Sequence, residues 1–341
     1  FKIHYSRRKY RIYLKATFTL FFLIFWSPLF AQQGFHFLNL PNSSRAAALG
    51  GSAVSSDDHD IAMGYHNPAI LGDSTLGDVY IMYHPYLAGI NRMSAIAQFS
   101  AGRIGPLTAG ILFTDYGTFD ETDDLGTVIG TFQAQDYVLH IGKSHSMGPF
   151  TLGINLKMAG SYISTTGANA LLFDLGGIYR SPYQKFSVGM VIKNLGFLLS
   201  DFTADEQTSL PFDVLIGTTF KPEHMPFRFT ITATDLVRST NDLYVSNPNQ
   251  KIRRLDQIFR YFNFGTALLI GKRIELNLGY NHRQRVAFNV DEMAYGAGLS
   301  FGFLLKIKAY EFQFSNAKIH AAAASQFFSI KTNTSALKQL F

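Results

Sequence analysis

The chain has no cysteine and a single tryptophan among its 341 residues. Without thiols there is no disulfide framework, no thiolate metal site and no cysteine nucleophile. Acid is absent from residues 1–31, which carry six of the 30 Lys and Arg residues. The remainder balances 24 basic against 24 acidic residues, so the formal charge of +6 is local and marks no basic stripe for nucleic acid. Long apolar runs are also missing. After residue 31 no segment approaches the roughly 20 apolar residues that a spanning helix requires.

What is present begins with Lys2, Arg7, Arg8, Lys9, Arg11 and Lys15, followed by ATFTLFFLIFW and then SPLFA. Positive residues, an apolar run and a small residue at the cut make up a secretory signal peptide, with cleavage expected after Ala31.

From Leu76 onward the chain alternates with period two. In Phe150–Met158 the even positions are Phe, Leu, Ile, Leu and Met, and the odd ones are Thr, Gly, Asn and Lys. Such a strand meets apolar surroundings on one face and a polar space on the other. Fourteen strands are predicted, at 76–84, 92–101, 106–116, 128–144, 150–161, 169–180, 185–194, 211–220, 226–236, 258–270, 273–282, 292–301, 304–314 and 321–331. At about 9 to 13 residues most are long for a sandwich and right for crossing a bilayer at a tilt. Tight Gly- and Pro-bearing connections alternate with longer polar ones, as in a barrel with short periplasmic turns and long outer loops. Tyr80, Tyr83, Tyr137, Tyr179, Phe220 and Tyr310 are expected in the interfacial girdles. A parity slip between Ile307 and Phe312 predicts a bulge.

The expected fold is therefore all-β, a transmembrane antiparallel barrel of about 14 strands over residues 75–332, with a periplasmic tail at 333–341. A barrel of that size leaves a lumen too wide for wall side chains to fill. Residues 32–74, rich in Ala, Ser, Gly and Asn, are expected to fold back into it as a short plug. Within this segment Ser44–Leu49 reads as a helix with a Ser cap, closed by Gly50 and Gly51.

The stretch FLNLPNSSRAAALGG (37–51), followed by HNPAIL (66–71), resembles the N-terminus of the PorQ family of the type IX secretion system. That family stands close to PorV, within the FadL-like outer-membrane barrels. VIKNLG at 191–196 and SLPFDVLIGTTF at 209–220 resemble the family's middle strands. The resemblance implies fourteen strands and an N-terminal hatch, whose motif here is Ser44, Arg45, Gly50, Gly51, Asn67, Pro68 and Ala69. It further implies a non-enzymatic anchor in an outer membrane bearing lipopolysaccharide. Such an anchor holds a PorZ-like surface protein and, through it, PorV-like and PorU-like components. The alternative is a FadL-type transporter of hydrophobic small molecules, which requires an apolar luminal pocket and a wall kink beside the hatch.

Chemistry is sparse. His59, His66, Asp57, Asp58 and Asp60 match no zinc spacing, and hydrogen bonding is their expected role. The acidic stretch Asp115–Asp124 falls in an expected outer loop, where carboxylates can bind calcium or bridge lipopolysaccharide. The spaced ligands of an EF-hand are lacking, and a solvated loop is the expected role. Gly296, Gly298 and Gly302 form no dinucleotide fingerprint, because no helix pattern follows. No cofactor and no catalytic constellation is expected. Partner binding is expected in the outer loops 195–210 and 237–257, through Phe197, Phe202 and Tyr244 as aromatic anchors. Arg253 and Arg254 are expected to steer an acidic partner.

Overall fold

The computed structural model describes residues 32–56, 60–183, 185–203, 208–238, 254–287, 296–319 and 324–338. Alternation along β6 (Phe150–Ile163) shows why the fold is a barrel and not a sandwich. Phe150, Leu152, Ile154, Leu156 and Met158 are exposed, whereas Thr151, Asn155 and Lys157 are buried. The polar face is the inner one. In water, each Leu or Phe left on the outside would forgo about 1.5–3 kcal/mol of burial. This arrangement recurs around the wall, so its stabilising solvent is hydrocarbon.

Fourteen strands close the wall. They are β2 (Asp78–Pro85), β3 (Asn91–Ser100), β4 (Pro106–Thr122), β5 (Val128–Met147), β6, β7 (Thr166–Arg180) and β8 (Phe186–Ser200), followed by β10 (Asp213–Phe220), β11 (Phe227–Ala233), β12 (Phe262–Ile270), β13 (Ile274–Asn281), β14 (Leu299–Ile307), β15 (Tyr310–Ala317) and β16 (Ser325–Asn333). Neighbours pair antiparallel, and β16 returns to β2 with Phe328 opposite Tyr83. Closure leaves no sheet edge within the wall, the condition for a β-structure in lipid. Among the described residues no helix is long and apolar enough to cross a membrane.

The last strands sit elsewhere than expected. Where 292–301 and 304–314 were predicted with a turn at 302–303, the chain runs through Gly302 inside β14 and turns at Lys308–Ala309. Lys308 takes the left-handed conformation (φ 53°) that the turn needs, although it is not glycine. The parity slip near Ile307 is thus a hairpin and not a bulge. Register shifts lie instead in β4–β5, between Asp115 and Thr118 and between Glu121 and Thr122, and in β7–β8. Tyr80 corrects the girdle expectation. It is fully buried on the luminal side, where its hydroxyl accepts a hydrogen bond from Ser44 N–H. Tyr83 and Phe220, by contrast, are exposed on the outer face.

A two-residue parallel ribbon joins β1 (Gln32–Gln33) to β9 (Thr208–Ser209), in the connection between β8 and β10. This connection lies at the end of the barrel opposite the start of β2. From there the N-terminal segment descends inside the wall.

Candidate functional site in the lumen

The luminal segment is built from short caps. Helix α1 (Ser44–Ala48) takes its cap from Ser43, whose hydroxyl accepts from Ala46 N–H; sequence had placed the cap one residue later. Ser44 instead bonds the wall, accepting from the Ser329 hydroxyl at 2.8 Å. Gly50 and Gly51, both at positive φ, end the helix, and Gly51 N–H reaches back to the Ala46 carbonyl. Asp60 caps the 3-10 turn Ile61–Tyr65. Asn67 caps the next one, Pro68–Ile70, with proline at its first position.

Asn67 does more than cap. Its Oδ1 accepts from Ala69 N–H, while its Nδ2 donates to the Val54 carbonyl at 2.6 Å and the Gly177 carbonyl at 3.4 Å. One buried amide therefore ties two turns of the segment to β7. The wall accommodates it with glycine. A Cβ on Gly153 would stand 2.3 Å from the Pro68 carbonyl carbon, and one on Gly176 2.1 Å from Asn67 Oδ1. Across the lumen, a Cβ on Gly279 would lie 2.2 Å from Gly50 N.

Charge fixes the segment laterally. Arg45 is buried and pairs with Asp60 at 3.5 Å and with Glu275 of β13 at 3.0 Å; Arg228 of β11 holds the other Glu275 oxygen at 3.0 Å. On the opposite wall Lys157 and Asp174 form an ion pair with both side chains wholly buried. Lys157 Nζ lies 4.3 Å from the ring centroid of Tyr65, a cation–π contact with the luminal segment. Asp174 also accepts from Asn194 N–H, where β8 adopts a left-handed residue beside the Phe173/Leu175 register shift.

Toward the β9 end, Phe35, Phe37, Leu38 and Tyr65 pack against Leu112, Val138, Ala170 and Leu172. Asp201 orders the loop above them. Burial pushes its carboxyl up, but hydrogen bonds from Thr208 and from Phe202 N–H outweigh this and hold it below the usual range. Two luminal cavities flank the segment. One, of about 410 Å³, lies near the β9 end and includes His36, Lys193, Asp213, Asp235 and Arg283. The other, of about 560 Å³, opens at the tight-turn end, and half of its lining residues are cations. Both are polar chambers.

Of the positions that alternation turns toward the lumen, Thr151, Asn155, Lys157, Thr230, Thr232, Glu275 and Asn277 are buried and Arg228 is half-buried. The expected docking aromatics fare differently. Phe197 lies within β8 and is 54% exposed. Phe202 is a correction: it is partly buried against the Phe35–Tyr65 cluster, so it supports the collar and is no exposed anchor. Arg254 begins the exposed helix Arg254–Phe259. Tyr244 and Arg253 lie outside the described residues, as do His59, Asp57, Asp58 and residues 1–31. Of the remaining metal candidates, Asp60 is engaged by Arg45, and His66 Nε2 faces Asn42 N–H at 3.5 Å.

These features define a class: a membrane-spanning β-barrel whose lumen is occupied by its own N-terminal segment. No family model matches the chain, and no curated protein matches it. Among solved structures it is similar to the TodX monoaromatic hydrocarbon channel, as its deltaS2 mutant, at 13% identity, covering 85% of this chain and 98% of that one with a TM-score of 0.49. A FadL homologue from Pseudomonas aeruginosa is similar at 10% identity, covering 86% and 97%, with a TM-score of 0.44. The KdgM porin is similar at 6% identity, covering 75% and 98%, with a TM-score of 0.32. The likeness is one of barrel architecture, and function must be read from this chain's own residues.

Proposed function

We propose that the chain is a non-enzymatic outer-membrane anchor, exported by a cleaved signal peptide, that holds a surface partner for cargo attachment, as PorQ-like proteins do in the type IX secretion system. The observation that carries this reading is the occupied lumen. Residues 34–56 and 60–71 occupy the middle of the lumen, and buried ion pairs from Arg45 and Lys157 cross or line it. A solute path there would require breaking charge pairs in low dielectric, which costs several kcal/mol each. An anchor needs only a rigid barrel and an outward surface. The partner expected from the resemblance is PorZ-like, with PorV-like and PorU-like components beyond it and lipopolysaccharide around the barrel.

A FadL-type transporter of hydrophobic molecules is the second reading. It is favoured by the Phe173/Leu175 register shift lying beside the apolar Phe35–Tyr65 cluster. In that reading the cluster residues stand where an apolar solute would pass.

Two measurements separate them. Isolation in mild detergent, with partners identified by mass spectrometry, is expected to recover the surface protein. Reconstituted in a planar bilayer, the intact chain is expected to be silent, and deletion of 43–70 to raise its conductance. Saturable uptake of an apolar fluorophore into liposomes by the intact chain, without a co-isolated partner, would replace the anchor by the transporter.

A further inference from the structure

The cavity of about 560 Å³ at the tight-turn end has an unusual lining. Arg45, Arg180, Lys185, Lys221, Arg228, Lys272, Arg273 and Lys306 face it, with Glu275 as the single carboxylate. Its volume falls within the roughly 300–1,000 Å³ of ordinary ligand pockets. The cations divide into two groups. On the floor, Arg45 and Arg228 are engaged by Glu275, and Arg180 donates to Thr151 Oγ1 and the Ala69 carbonyl. On the rim, Lys185 pairs with Glu223 and Lys306 with Glu311. Lys221, Lys272 and Arg273 are exposed on the turns after β10 and β12, and among the described residues they make no ion pair. Three cations spread around one cup, whose lining carboxylate Glu275 is already held by Arg45 and Arg228, give it a positive potential that its low-dielectric walls focus.

From this geometry we infer that the cup binds an acidic peptide segment of a periplasmic protein, received by Lys221, Lys272 and Arg273. The turns at this end are short. They cannot supply the roughly 800 Å² per partner of a standard interface, so recognition here must proceed by insertion. An extended segment bearing several carboxylates matches a cup whose cations are spread around its rim. A single phosphate would call for donors that converge on one point. The periplasmic orientation rests on the anchor reading, but the binding itself does not, and it is measured without the surface partner.

The test uses the full chain in detergent and a fluorescein-labelled octapeptide of alternating Asp and Glu, followed by anisotropy. Saturable binding that weakens with salt is expected. K221Q, K272Q and R273Q combined are expected to weaken it about tenfold or more, the scale of three partly exposed charge contacts. K221R combined with K272R should bind like the original, and R285Q, exposed on the helix His282–Ala287 at the far end, should change nothing. Retention of the barrel is checked by heat-modifiable gel migration. Equal peptide binding by the triple glutamine variant, or no binding by the original, would overturn the proposal. So would displacement of the peptide by inorganic phosphate at concentrations no higher than those of unlabelled peptide, since the cup would then be a phosphate site.

Discussion

One half of the barrel is much taller than the other. Strands β4 to β8 run 17, 20, 14, 15 and 15 residues, whereas β10 to β16 run seven to nine. At about 3.3 Å per residue, β5 spans roughly 66 Å and β10 roughly 26 Å. About 9–11 tilted residues suffice to cross a bilayer, so the strands of the short half end at the membrane and those of the tall half stand clear of it. Pairing shows how far. β3 accompanies β4 only to Asp115, and β6 accompanies β5 only to Ala134. Beyond those points residues 116–132 form a ribbon of two strands with no further strand on either edge.

The two halves also hold the luminal segment differently. The tall half grips Asn67–Leu71 through the backbone, with Gly153 and Gly176 admitting it and Asn67 bonding the Gly177 carbonyl. The short half grips α1 through charge and close contact, with Glu275 on Arg45 and Gly279 and Gly302 beneath Ala48 and Gly50. A backbone clamp is intolerant of volume, and a charge clamp is intolerant of losing one partner. The difference teaches which changes loosen which end.

The largest effect is expected from volume. G153L drives a side chain into Pro68, and G279L drives one into Gly50; overpacking of this kind costs about 1–3 kcal/mol or more. Because the chain lacks cysteine, single cysteines report release directly. G153L should expose a cysteine at Ala69 to maleimide while one at Ala47 stays protected, and G279L should reverse the order. Simultaneous exposure of both in either variant would show that the segment leaves as one unit.

Next in size is charge. K157M leaves Asp174 buried without its partner, a loss of about 3–5 kcal/mol. E275Q is expected to cost less, because Arg45 retains Asp60. Adding D174L to K157M should recover most of the loss, since the charge goes with its pair. Urea-dependent folding into liposomes measures all three. Equal losses for K157M and E275Q would show that Asp60 does not compensate Arg45 for the loss of Glu275.

How much of this was legible beforehand follows from where each requirement originates. Strand number and inside-outside polarity come from alternation, which lies in the residues themselves, and Phe150–Met158 displayed both. The Asn67-Pro68-Ala69 turn was legible because cap and proline are local chemistry. Gly302 misled: glycine also marks turns, and only proximity to Ala48 shows that it serves as an inward gap in β14. The turn at Lys308 carries no glycine or proline, so local chemistry was silent there. The pairs Arg45–Glu275 and Lys157–Asp174 join residues far apart in sequence or on separate strands, and no period or spacing encodes them. The acidic stretch at 115–124 read as a loop because carboxylates and glycine mimic turn composition, yet most of it is ordered strand.

A smaller effect is expected at the clamp itself. N67A removes the cap on Pro68–Ile70 and the donor to Val54 and Gly177, leaving those carbonyls to find other partners. Cap loss costs about 0.5–2 kcal/mol and an orphaned buried group about 1–3. The expected destabilisation is below that of K157M, and the cysteine at Ala69 should become reactive before the one at Ala47. N67D keeps the capping oxygen but sets a buried carboxylate against the Val54 and Gly177 carbonyls, so it should cost more than N67A.

The smallest effect on stability, and the most informative about function, is expected at the top of the tall half. Leu125 is 91% exposed, and Val128 and Ile129 are more than half exposed, on a ribbon where Phe119 stacks on Phe132 at 5.4 Å. Isolated two-stranded hairpins are marginal in water, and unpaired edges template the addition of another strand. Between Arg103 and Lys143 the chain has no Lys or Arg, while Asp115, Asp120, Glu121, Asp123, Asp124 and Asp136 carry acid. The surface that would complete this ribbon is therefore apolar and basic. Replacing Leu125, Val128 and Ile129 by Ser removes no buried contact and should leave folding within about 0.5 kcal/mol. If the anchor reading holds, a surface partner should nevertheless be lost on isolation in mild detergent. Replacing 237–257 by a Gly-Ser turn is the matched change on the short half. If the partner leaves with 237–257 and stays with the serine triple variant, the short half is the docking side and the height of the other half serves something else.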